Sequence, residues 1–267
     1  MAKIAGDGGH GLKTAGKRTP PLPGTGRVIH EWEFNHPTSK LLQAELIKSG
    51  HQFLHTSDTS VDTALSVRAR KANNWGADIY VSAHYNAENH LFDKFVDGVE
   101  TLYRTGSVEG MKLAEYVQAE MVKATGLRDR GIKPRSDLGI LNLTNMPAII
   151  VECGFMDNVK DATNMLSVGY QSTCAKAIAT GINKYFGVAK APAAPRPIPK
   201  APAAPRPIPT VTKLSISGRL VTVKGTNIDG ISYITVGTQK IPVRDLFETL
   251  GYQSITWDND KQMVVIK

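Results

Sequence analysis

Two identical decapeptides stand in tandem in this chain, Lys190-Ala-Pro-Ala-Ala-Pro-Arg-Pro-Ile-Pro199 and Lys200 to Pro209. Prolines at this density lack the N–H donors that helices and central strands require, and each biases the residue before it toward extended conformations. The repeat therefore predicts a semi-rigid spacer, and twenty such residues at about 3.1 Å each span roughly 60 Å. A spacer needs something on either side. The expected organisation is a domain over residues 1–187, a Pro-rich linker over 188–209 and a smaller domain over 210–267.

The 267 residues suffice for two cores, and 41% hydrophobic with 21% charged residues excludes wholesale disorder. No run approaches the roughly 18 apolar residues that span a bilayer, so membrane insertion is not expected. The first ten residues, Met-Ala-Lys-Ile-Ala-Gly-Asp-Gly-Gly-His, lack the apolar core of a signal peptide. The net charge of +8 raises the question of nucleic acid. Half of it falls on the linker, on Lys190, Arg196, Lys200 and Arg206, and no recognition helix or finger pattern appears. No nucleic-acid partner is expected. Two cysteines, Cys153 and Cys174, exclude a disulfide-rich scaffold and a Cys-based metal cluster.

Within 1–187, strand patterns alternate with helical ones. Strands are expected at Ala2–Gly6, His51–His55, Asp78–His84, Val99–Tyr103 and Ala148–Val151. Helices are expected at Pro37–Ser49, Thr63–Trp75 (stopped by Gly76), Val108–Thr125 and Tyr170–Tyr185. This alternation predicts an α/β fold, a mostly parallel twisted sheet with helices on both faces. Active groups then gather at the carboxyl ends of the strands. After the linker, short strands and tight turns with one helix near Arg244–Leu250 predict a small, mainly β domain.

All seven histidines lie in the first 90 residues. His10 ends a strand within Gly8-Gly9-His10-Gly11, and His84 ends the apolar run before it. Two such histidines point into one crevice, and Glu31 offers a third ligand. Two His and one Glu with an open position suit a catalytic zinc ion, and Glu152, after the strand Ala148–Val151, stands where a proton-shuttling carboxylate is needed. Plainer readings remain at this point. Either acid of Glu31-Trp32-Glu33 reads as a solvated loop charge, and Glu152 as the partner of an arginine such as Arg68. Cys153 beside Glu152 faces the opposite side of a strand and reads as core.

A resemblance narrows these choices. Gly6-Asp7-Gly8-Gly9-His10-Gly11, Glu31-Trp32-Glu33-Phe34-Asn35, Leu65-Ser66-Val67-Arg68 with Ala72-Asn73, Asp78 through Ala87, and Pro147 through Asn158 resemble, in order, the motifs of zinc-dependent N-acetylmuramoyl-L-alanine amidases of the third class. That class includes bacterial autolysins and phage endolysins. The resemblance implies Zn2+ held by His10, Glu31 and His84, with Glu31 preferred to Glu33 because it precedes Asn35 by four residues. Glu152 is implied as the catalytic carboxylate, with Arg68 and Asn86 in support. The implied partner is peptidoglycan, cut between N-acetylmuramic acid and L-alanine. A zinc peptidase acting within the stem peptide and a non-catalytic wall-binding protein are the competing readings. Lack of a signal peptide implies an endolysin held in the host cytoplasm until release. Ile241 through Tyr252, and Ile255 through Asp258 with Met263 through Ile266, resemble a small stalk-type domain like the amino-terminal domain of copper amine oxidases, a likeness that spans residues 212–267. They contain no histidine to import copper, and cell-wall binding is expected of them.

Overall fold

The computed structural model describes residues 1–187 and seven strands between 214 and 266. The backbone divides into two compact units, Met1–Pro195 and Arg196–Lys267. The first holds a six-stranded sheet in the order β2-β1-β3-β6-β4-β5. Its strands are β1 (Lys3–Gly8), β2 (Gln52–His55), β3 (Ile79–Asn86), β4 (Val99–Arg104), β5 (Asp129–Arg135) and β6 (Ala148–Phe155). Every neighbouring pair is parallel except β4 and β6. The α/β class and the largely parallel sheet are as the alternation predicted.

Strand parity sorts the sheet into two cores. Ile149, Val151 and Cys153 of β6 face one side, with Ile4, Val81 and Val99. That side is covered by α1 (Trp32–Lys48), α3 (Val108–Thr125) and α6 (Val168–Tyr185), through Leu42, Leu46, Leu113, Val117, Ile178 and Ile182. The helices α3 and α6 cross closely at Gly181, where a Cβ would meet the Val117 Cα at 2.6 Å. Ala148 and Ile150 face the other side with Ala5, Tyr80 and Leu102. There the cover is thin: α2 (Leu65–Trp75) gives Ala69 and Ala72, and the short α4 (Gly139–Leu143) gives Ile140 and Leu141. This lightly covered face carries the candidate site. Among the described residues no helix is long and apolar enough to cross a membrane.

The structure departs from the sequence pattern at several elements. Helix α1 starts at Trp32, five residues before the proline expected to open it. Pro37 cannot donate to the Glu33 carbonyl one turn back, and Gln171 Nε2 of α6 donates to that carbonyl instead, at 3.3 Å. Strand β6 runs on to Phe155, so Glu152 sits inside it and not beyond it. Strand β5 and two short helices, α4 and α5 (Val159–Asn164), were not anticipated.

In the second unit, β7 (Leu214–Ile216) pairs antiparallel with β8 (Arg219–Val221). Strand β10 (Ile231–Val236) lies between β9 (Lys224–Ile228) and β11 (Gln239–Pro242), and β12 (Ile255–Asp258) pairs with β13 (Met263–Ile266). These strands are short, and every described pairing among them is antiparallel. The linker and the expected helix at Arg244–Leu250 lie outside the described residues.

Candidate metal centre

Strands β1 and β3 are parallel neighbours, with Gly8 in register with Ala83. His10 and His84 therefore emerge side by side at the carboxyl end of the sheet, their rings 5.0 Å apart and edge to face. The approach depends on Gly9, because a Cβ there would lie 1.8 Å from His84 Cε1. His10 itself has φ +64, a conformation that non-glycine residues adopt under constraint. Asn35 holds this turn by donating to the Gly9 carbonyl at 3.1 Å.

Glu31 arrives as the residue before helix α1 and is 1% exposed. Its Oε1 accepts from Asn35 Nδ2 at 2.9 Å and the Tyr85 amide at 3.1 Å, and lies 3.0 Å from His84 Nδ1. Its Oε2 lies 3.5 Å from His10 Nε2 and, though buried, has no hydrogen-bond partner. One ligand atom from each of His10, Glu31 and His84 falls within 4.8 Å of the others. An orphaned buried carboxylate oxygen is costly unless a cation or donor completes it. Two imidazole nitrogens and a carboxylate oxygen suit a divalent transition-metal ion. The residues fit a metal.

The electrostatics agree. Burial opposes the charge on Glu31, yet the hydrogen bond from His84 and the charges of both histidines hold its carboxyl down at about 2. Burial also opposes protonation of His84, and the same Glu31 contact overcomes it and raises the imidazole. Burial lowers His10 to about 4 despite Glu31. A metal cation held by these donors would relieve the same anion that raises His84.

Glu152 is Cα partner to His84 across β6 and β3, so it points to the same face one strand away. It is 8% exposed, and its Oε2 is buried without a partner. Burial raises its carboxyl to about 7, with Glu31 and Glu100 adding to the rise and His84 opposing it. That is the environment of a proton-transfer group. Cys153 faces the opposite core, fully buried, as the strand parity predicted.

Arg68 is not the partner of Glu152. Its Nη1 donates to Asp7 Oδ2 at 2.8 Å and its Nη2 to Asp62 Oδ1 at 3.0 Å. Asn86 donates to Glu100 at 2.9 Å. Glu100, in register with Glu152 across β4, escaped the sequence reading altogether, as did Arg130 and Lys133 of β5, which pair with it. Beside the loop that leads into Glu31, a cavity of about 430 Å3 is lined by Arg18, Thr19, Pro20, Pro21, Val28 and His90.

Comparison with known proteins decides the family. Residues 4–184 match the Amidase_3 family, described as N-acetylmuramoyl-L-alanine amidase. The chain belongs to this family. It is thus an enzyme, a hydrolase of amide bonds. The N-acetylmuramoyl-L-alanine amidase CwlM of Bacillus licheniformis is 29% identical over 204 residues, covering 73% of this chain and 72% of that protein. The endolysin of Bacillus phage SPP1 is 32% identical over 137 residues, covering 51% of this chain and 50% of its own. The amidase fold recurs in the crystal structure of N-acetylmuramoyl-L-alanine amidase from Clostridium difficile 630. That chain superposes with a TM-score of 0.63 at 32% identity, covering 70% of this chain and 97% of that one.

Proposed function

We propose that this amidase hydrolyses, with zinc, the amide joining the lactyl group of N-acetylmuramic acid to the L-alanine of the peptidoglycan stem. One observation carries the reading: three converging donors with an orphaned carboxylate oxygen, and a buried carboxyl one strand away. His10, Glu31 and His84 would hold the ion. Zinc so held supplies Lewis acidity, polarising a carbonyl and bringing the pKa of water toward 7. Glu152 takes a proton from the attacking water, a carbon–oxygen bond forms, and Glu152 returns the proton to the amine nitrogen as the carbon–nitrogen bond breaks. An amine is a poor leaving group unless protonated, so the carboxyl must act in both directions. A pKa near neutrality serves both.

Product analysis tests the reading. Purified peptidoglycan treated with the protein is expected to gain free amino-terminal L-alanine with no new reducing sugar, and chelation is expected to stop it. New amino termini on other stem residues would instead identify a peptidase.

We further propose that residues 210–267 bind the cell wall, tethered by the linker at 188–209, and that the whole acts as an endolysin. Support comes from the proline repeat and from the likeness to a phage endolysin. Tethering raises the local substrate concentration without adding a contact at the catalytic site. The full chain is expected to sediment with purified wall at concentrations where a chain ending at residue 187 stays in solution. Equal sedimentation of the two would remove the binding role.

A further inference from the structure

Register places a second charged cluster beside the first. Glu152 of β6 is directly opposite Glu100 of β4, and β5 follows at the edge of the sheet. Glu100 is 5% exposed, and both its oxygens are taken. Oε1 accepts from Asn86 Nδ2 at 2.9 Å. Oε2 accepts from Arg130 Nε at 2.8 Å and from Lys133 Nζ at 2.6 Å. One cation would neutralise this carboxylate, yet two are gathered on it, so these three side chains together carry one positive charge.

Arg130 is also held still. Its Nη1 reaches the Asp97 carbonyl at 3.5 Å, and its guanidinium carbon lies 4.4 Å from the centroid of the Phe155 ring. Its Nη2 has no partner among the described residues, and 18% of the side chain is exposed. Lys133 is 40% exposed with ammonium hydrogens to spare. A planar donor fixed in orientation, with one edge open, suits a carboxylate.

We propose that Arg130 and Lys133 form an anion subsite that takes a carboxylate of the stem peptide. The proposal rests on the amidase reading above and adds a substrate feature to it. The guanidinium lies over Phe155, which follows Glu152 by three residues on the same strand, and a strand rises about 3.3 Å per residue, so the subsite is roughly 10 Å from Glu152. An extended peptide advances about 3.3–3.6 Å per residue, so the group recognised belongs to the second or third residue after the scissile amide. The subsite thereby selects free acids over carboxamides at that place.

The test uses N-acetylmuramoyl peptides that differ in one group, carboxylate or carboxamide, on the second or the third residue. Cleavage by the full chain gives kcat and KM, and equilibrium binding to zinc-loaded Glu152→Gln gives affinity without turnover. The parent is expected to favour one acid by roughly tenfold to a hundredfold, the range of a charge-assisted hydrogen bond. Arg130→Gln is expected to bring that ratio close to one through KM, and Arg130→Lys to restore part of it. If Arg130→Gln does not fold, Lys133→Gln at its more exposed position reads the same ratio. A purely structural role in neutralising Glu100 would lower stability and leave the acid-to-amide ratio intact, which overturns the subsite. Turnover by the parent without discrimination also overturns it while the amidase reading stands. Absence of any turnover by the parent overturns both.

Discussion

Glu152→Gln is expected to bind zinc one-to-one like the parent and to lose roughly 10²–10⁴-fold in kcat, the range that a positioned proton-transfer group contributes. The substitution preserves shape and hydrogen-bonding capacity but removes the site that accepts a proton. The donors proposed for the metal are His10, Glu31 and His84, so metal content measured by atomic absorption should not change. His84→Ala, by contrast, is expected to lose metal and activity together. An active Glu152→Gln variant would end the assignment of Glu152.

The same substitution has a stability signature opposite in sign. Burial raises the Glu152 carboxyl to about 7 in the metal-free protein, above its unfolded value. A group raised in this way favours the folded state at low pH, and that contribution is lost as pH rises through 7. Below the unfolded value, acid and amide are both neutral and the two metal-free proteins should melt alike. At pH 8 the parent buries an uncompensated charge and glutamine does not, so metal-free Glu152→Gln is expected to melt higher than its parent there. Equal melting curves at both pH values would mean that the carboxylate is compensated in a way that its unpartnered Oε2 does not suggest.

How much of this was legible depended on where the information lay along the chain. His10, His84 and Cys153 could be placed because each follows or sits in a short apolar run whose parity is local. Strand β5 could not. Its sequence, Asp-Arg-Gly-Ile-Lys-Pro-Arg, holds four charges, a glycine and a proline, and reads as a loop; it survives as an edge strand, where proline is tolerated. Missing β5 hid Arg130 and Lys133, and with them the reason for Glu100. The direction of β4 was equally hidden, because alternation is the same whichever way a strand runs. Early entry into α1 was masked by Pro37, whose missing donor is replaced by Gln171 from the far end of the domain. In each case the compensating partner is remote in sequence. Local pattern carries no trace of it.

Arg68→Met is the substitution outside the reactive groups expected to do most damage. Arg68 is 2% exposed, and each of its five N–H groups has an acceptor. They are the Thr63 carbonyl, Asp7 Oδ2, the Gly8 carbonyl, Asp62 Oδ1 and the His10 carbonyl. Asp7 in turn accepts from Ser82 Oγ and Tyr80 OH, both at 2.6 Å. Burial alone would raise the Asp7 carboxyl, but Arg68 beside it and these hydroxyls hold it below the usual range. Removing the arginine leaves a buried carboxylate uncompensated, at a cost of about 3–5 kcal/mol. For a domain of this size that is a fall in Tm of roughly 6–20 °C. Because Asp7 is depressed, the pair's contribution is present above the unfolded carboxyl value and fades as pH falls through the lowered one. The parent and Arg68→Met curves should therefore converge in acid. Arg68→Lys is expected to rescue only part, since an ammonium has three donors and no fork. Asp7→Asn combined with Arg68→Met should recover much of the loss, because neither charge is then left buried alone. The carbonyls of Gly8 and His10 lose their donor in both methionine variants, and they flank the turn that presents His10. Zinc affinity, titrated at a temperature where each variant is folded, is thus expected to stay reduced even in the double variant. Parent-like affinity there would show that the turn is held by Asn35 and Gly9 without the arginine.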